Sequence, residues 1–171
     1  MQPSDSDPCY NGGHNSAILR QEGFSNEELV ELSAQIDPKT DSPLSYYSLT
    51  KTGEWFPIAD SAKEPILDPK PESRVEYLHG ILQGIGDVER DGFKVLDELG
   101  ASPKFVTAVL SCGGGSKNDV WIEMHKRRLR NMYDEDEVVE GQQQKQEVVV
   151  KRAVNTEASY GAALIVAASF E

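Results

Sequence analysis

Hydrophobic residues recur at helical spacing in some stretches and in continuous short runs in others. Ser25-Asn26-Glu27-Glu28 is a capping box, with the acid three residues after the serine. It predicts a helix running to Ile36, with Leu29, Leu32 and Ile36 on one face. A short apolar run, Ala17-Ile18-Leu19, precedes it. The longest pattern spans 73–99, where Val75, Leu78, Leu82, Ile85, Val88, Leu96 and Leu99 follow three/four spacing and Gly100 supplies the stop. Phe105 to Leu110 is apolar at alternate and intervening positions alike, the mark of a strand buried on both faces in a parallel sheet. A helix over 118–130, a strand over 147–152 and an Ala-rich helix over 157–169, capped by Thr156, complete the order. Helix–strand–helix–strand–helix predicts half of an α/β layer.

Between these elements the punctuation changes the picture. Residues 1–16 carry Pro, Asp, Ser, Asn and Gly without periodicity and read as loop or disorder. Pro38, Pro43, Pro57, Pro65, Pro69 and Pro71 exclude a long helix over 37–72. Tyr46, Tyr47, Trp55 and Phe56 sit among them, so this stretch reads as an ordered, extended arm lying on another surface; a disordered linker is the alternative. Gly80, Gly84, Gly86 and Gly92 interrupt the long helix at a cost of about 1 kcal/mol each against Ala. They predict close approach of another backbone or a ligand, with tight helix–helix packing the rival at Gly80 and Gly84. Residues 133–146 are acidic and Gln-rich and read as a surface insertion.

Charge and composition remove several function classes. The 171 residues hold 17 basic and 29 acidic side chains, a net charge of −12. Such a field repels phosphate backbones, so no nucleic-acid partner is expected. No run of 18 apolar residues occurs, so neither a transmembrane helix nor a membrane partner is expected. Met1 to Asp7 is polar and acidic, unlike a secretory signal or a transit peptide. A soluble protein of the cytoplasm or a plastid is the expectation, with the compartment itself unreadable. Cys9 and Cys112 are too few for a disulfide scaffold, and His14, His79 and His125 are too scattered for a zinc site. Cys112 reads as a buried, inert thiol, with a redox-sensitive thiol beside the glycines the alternative.

The chemistry concentrates where the first strand runs into Cys112-Gly113-Gly114-Gly115-Ser116-Lys117-Asn118-Asp119-Val120-Trp121. Glycines at a strand-to-helix turn let backbone N–H groups approach a ligand with no Cβ in the way, and the helix N-terminus adds partial positive charge. Ligands bind at the carboxyl ends of strands in open α/β sheets. Asn118 and Trp121 are one turn apart and could offer an amide and a flat apolar surface to a base or sugar. The loop is not a Walker A motif, because Lys117 is followed by Asn118. Nor is it a dinucleotide fingerprint, whose third glycine would fall on Asn118. A tight turn over a buried Trp explains the same residues without any ligand.

Gly113 to Trp121, followed by Thr156-Glu157-Ala158-Ser159-Tyr160-Gly161-Ala162-Ala163-Leu164, resembles the C-terminal signature of the FGGY carbohydrate kinases. The branch it resembles most is that of the D-ribulose kinase and xylulose kinase-like proteins. Ala17 to Gln21, Tyr46 to Leu49, Gly53 to Asp60 and Pro71 to Ile85 are similar to that branch in the same order. The resemblance implies an α/β fold, the later part of an actin-like (ribonuclease-H-like) ATPase domain, occupying 17–171 with the acidic insertion at 133–146. It implies transfer of the γ-phosphate of ATP, with Mg, to a hydroxyl of a ketopentose such as ribulose or xylulose. Gly113, Gly114 and Gly115 would approach the nucleotide, Asn118 and Trp121 would line the adenine pocket, and Thr156 to Ala163 would support it. The family's N-terminal domain, with its phosphate and metal loop and most of the sugar site, has no counterpart in these residues, nor have the catalytic Asp and the phosphate-binding hairpin that opens the second domain. No catalytic residue or metal ligand is therefore assigned, and Asp60, Asp87 and Asp91 are not taken as bases; the last two read as solvated. The isolated chain is expected to be inactive. The alternative is a non-catalytic domain that acts only with a partner supplying the missing half.

Overall fold

The computed structural model describes residues 17–102, 106–130, 132 and 148–154. The expected N-terminal loop, the acidic insertion and the last helix, with Phe105, lie outside the described residues. A helical turn at 17–21 leads to α1, Asn26–Ser33. Both halves of its capping box form: Glu28 N donates to Ser25 Oγ at 3.1 Å, and Ser25 N donates to a Glu28 carboxylate oxygen at 3.0 Å. The helix closes three residues earlier than expected because Gln35 N and Ile36 N bond back to Leu32 O and Ser33 O, a tightened last turn. Ile36 is still buried, as the pattern requires.

The proline-rich stretch is an arm, and its landing place is α2, Arg74–Glu98. Tyr47 pairs with Ile66 and Glu54 with Asp60 in isolated antiparallel bridges that hold the arm as a loose hairpin. Tyr46 is buried where the arm crosses α2. Its ring packs over Gly80 and its carbonyl over Gly84, while Phe56 packs over Gly92. Ser42 adds two buried bonds, donating from its N to Gln83 Oε1 at 2.8 Å and accepting from Gln83 Nε2 at 3.1 Å. The helix glycines thus admit an extended strand rather than a second helix; Gly86 alone faces one, meeting the Arg128 side chain. Ser73 caps the start of α2, and its end is a Schellman motif, with Gly100 at φ 80° and Ala101 N bonded to Leu96 O at 3.0 Å.

After α2 come β1, Ala108–Ser111, a 3₁₀ turn over Gly114–Lys117, α3, Asp119–Arg130, and β2, Val149–Arg152. The strands are parallel, with Ala108 opposite Val149 and Ser111 opposite Arg152. This is an α/β arrangement of helices around a small two-stranded parallel sheet. Val150 on one face is buried with Leu129, Met132 and Val148, and Val109 packs against them. The other face corrects the expectation of a strand buried on both sides. Leu110 is 66% exposed and Val149 43%, while the described helices pack on the opposite face, through Leu129 of α3 and Phe93 of α2.

The main core lies between α1, the arm, α2 and the first turns of α3, centred on Leu78, Ile81 and Met124. Polar contacts join α2 to α3. Arg128 donates to both carboxylate oxygens of Asp87, at 2.8 and 2.6 Å, so this acid is paired rather than solvated as expected. Asp91 is paired with Arg90 at 2.9 Å on the exposed side. Asp60 Oδ1 accepts from Ala62 N at 2.9 Å within the arm's turn.

Candidate functional site

The turn that leaves β1 gathers Gly113, Gly114, Gly115, Asn118 and Trp121 into one short segment. Gly113 has φ 77° and ψ −168°, a conformation essentially reserved for glycine. This lets the chain reverse without a side chain. Gly114 and Gly115 then enter the 3₁₀ turn, both exposed. A Cβ on Gly114 would meet nothing within 4 Å. The turn is closed by Ser116 N and Ser116 Oγ, both donating to Gly113 O, at 3.3 and 2.7 Å, and by Asn118 N donating to Gly115 O at 3.1 Å. Among the described residues no carbonyl accepts from the N–H groups of Gly113, Gly114 or Gly115. Three consecutive backbone donors are thus open to a ligand, next to the start of a 12-residue helix.

Asn118 stands before the first residue of α3 with extended backbone. Its Oδ1 accepts from Trp121 N at 3.1 Å, and its Nδ2 donates to the buried Ser33 Oγ at 2.8 Å. The side chain therefore caps α3 and ties it to the end of α1. One Nδ2 hydrogen and a lone pair on Oδ1 are left for a ligand. Trp121 is half-buried, packed against the main core under Gly115, whose Cβ would lie 3.6 Å from the indole. Its ring stacks on His125, with centroids 5.3 Å apart and planes at 10°. His125 is itself buried, with Nδ1 3.5 Å from Ser111 Oγ and Nε2 against the Glu89 carboxylate, out of line for a hydrogen bond. The indole face is thus braced from below by α2 and the end of β1.

Sequence reasoning passed over the residues that hold the turn in place. Ser33 and Arg152 are distant from it in the chain, and no spacing rule links them to it. Arg152, at the end of β2, donates from Nε to Ser116 O and from its terminal nitrogen to Asp119 Oδ1 at 2.6 Å. The same arginine borders an open cleft of about 460 Å³ between α3 and β2, lined also by Asp119, Ile122, Glu123, Lys126, Val150 and Lys151. The cleft adjoins the turn through Asp119 and Arg152, but none of the five residues singled out from the sequence lines it. Cys112 is exposed, not buried as expected, because the chain is already leaving the sheet there. Among the described residues no group of three acids, histidines or cysteines is placed to hold a metal ion, and no helix is long and apolar enough to cross a membrane. No protein-family model matches the chain.

Proposed function

We propose that this chain is the ATP-side part of a sugar kinase of the FGGY type, in the later portion of an actin-like ATPase domain. The observation that carries the reading is the glycine turn, with three N–H groups unpartnered and no side chain above Gly114 among the described residues. The ordered sequence resemblance supports it. In this reading Gly113, Gly114 and Gly115 donate to the nucleotide. Asn118 offers its remaining amide hydrogen, and Trp121 gives the base an apolar floor. ATP, bound as its Mg complex, supplies the phosphoryl group. The chain's own residues bind and orient the nucleotide, and the sugar site, the catalytic base and the Mg ligands are assigned to none of them. Phosphoryl transfer needs those groups together, so no turnover is expected from these residues alone.

Calorimetric titration of Mg·ATP into the 171-residue protein tests the reading. Saturable binding is expected, weakened by about tenfold or more in Gly114→Asp, where a side chain fills the open space above the turn that the adenosine would take. The open space around Gly114 predicts that this variant keeps its melting temperature. Absence of binding, or binding indifferent to the substitution, refutes the assignment.

The outer face of the sheet favours a second reading. Ala108, Leu110, Val149 and Lys151 form a strip whose apolar members are largely exposed. Parallel strands ordinarily have both faces covered. A non-catalytic domain that acts only with a partner supplying the other half of the kinase fits this surface. A monodisperse monomer that melts in one cooperative transition counts against it.

A further inference from the structure

We infer that Arg152 is a positioning residue that sets the glycine turn in its ligand-receiving shape. The inference deepens the nucleotide reading above and rests on it for its functional half. The turn's own bonds are few: Ser116 folds back on Gly113 O, and Asn118 N reaches Gly115 O. Neither tells the turn where to sit relative to the sheet. Arg152 does, because β2 runs parallel beside β1 in a register that sets Arg152 opposite Ser111, the last residue of β1 and two before Gly113. Its guanidinium bridges the turn and α3, donating from Nε to the carbonyl of Ser116 and from the terminal nitrogen to Asp119. Ser116 is 1% exposed, so that carbonyl has little solvent to turn to if the guanidinium is removed. A planar fork satisfies both acceptors at once, whereas a lysine ammonium at the same place reaches one. On the far side Asn118 is tied to Ser33, so the turn is held between α1 and β2 and its N–H groups stay uncommitted.

The test uses the full chain with Trp55→Phe, which removes a Trp that is largely exposed and leaves Trp121 as the reporter. Amide exchange is followed residue by residue without nucleotide. Arg152→Gln is expected to speed exchange at Ser116 and Asn118 by about tenfold, the scale of one lost charge-assisted hydrogen bond, and to shift Trp121 emission. Leu78 and Ile81, in the middle of α2, should exchange as before. Arg152→Lys should recover part of the protection. Unchanged exchange at Ser116 and Asn118 overturns the inference, and so does an equal rise at Leu78 and Ile81, which marks a general loss of stability. Mg·ATP titration then separates the two claims. Weaker binding by Arg152→Gln, in step with the exchange, supports both. If the parent protein binds no Mg·ATP while the exchange pattern holds, the nucleotide reading falls and the setting of the turn by Arg152 stands. If Mg·ATP binds and Arg152→Gln leaves its affinity unchanged, the positioning role falls alone.

Discussion

Replacing Gly84 by Ala should destabilise the protein even though alanine is the better helix former. A Cβ built on Gly84 lies 2.4 Å from Tyr46 O and 3.1 Å from Tyr46 C. Ordinary contact begins at about 3.4 Å, so the carbonyl must retreat by about 1 Å in a close-packed interior. Tyr46 has little freedom to retreat, since its ring stands edge-on to Tyr77 at 5.5 Å and its hydroxyl donates to Pro69 O. Overpacking of this kind costs about 1–3 kcal/mol, and the gain in helix propensity returns about 1 kcal/mol. With a backbone group as the obstacle we take the upper end, a net loss of about 2 kcal/mol, or about 4–8 °C in melting temperature. Urea denaturation followed by circular dichroism reads it directly. Gly80→Ala provides the contrast, because there the obstacle is the Tyr46 ring at 2.7 Å, with Leu44 Cβ at 3.0 Å. In a Tyr46→Leu background, Gly80→Ala should lose most of its cost, while Gly84→Ala should keep its own. A Gly84→Ala protein as stable as its parent refutes the reasoning, and so does equal rescue of both glycines.

Gly113→Ala should cost about 1–3 kcal/mol from backbone strain alone, while Gly114→Ala should be near neutral; urea midpoints that do not separate the two contradict the backbone described for Gly113. Burial holds the His79 imidazole below its ordinary range, outweighing its bond to the Thr40 backbone, with Arg127 acting in the same direction and Asp41 and Asp37 against it. A depressed imidazole is neutral in both states above its unfolded value and takes up its proton first in the unfolded chain. Stability should therefore fall as pH drops below about 6.5, and by less in His79→Gln; denaturation at pH 7.5 and 5.5 that shows the same loss in both proteins refutes this. Glu22 behaves similarly at lower pH. Its burial would raise it, but hydrogen bonds from Lys70 and Tyr77 and the charges of Lys70 and Arg74 hold it below the usual carboxylate range. Glu22→Gln should accordingly lose less stability than the parent as pH falls below about 4.5, with equal loss counting against the network.

What could be read from the sequence was local. The Ser25 capping box, the long helix with its Gly100 stop, and the strand–turn–helix around Gly113 all depend on residues within a few positions of one another. The glycines of α2 announced a close approach but not its source, since Tyr46 and Phe56 arrive from more than 30 residues away. Asp87 pairs with Arg90 three residues on, which spacing allows, but Arg128, which binds both of its oxygens, stands on another helix. The strand run from 105 to 110 predicted two buried faces from composition, yet Leu110 faces outward. At the candidate site the five residues fall together because they are contiguous. Arg152 and Ser33 reach them only through the fold, whereas His125 follows Trp121 by one turn of α3.

The crossing of the arm over α2 bears on how this region folds. A helix with four glycines between positions 80 and 92 forgoes about 4 kcal/mol of propensity and is a poor nucleus by itself. The arm, crowded with prolines and held by two isolated bridges, has even less shape of its own. Each supplies what the other lacks: the glycines open a track, and Tyr46 and Phe56 fill it. Arm and helix therefore form one cooperative unit, assembled by docking two weak segments rather than by growing a helix and draping a loop across it afterwards.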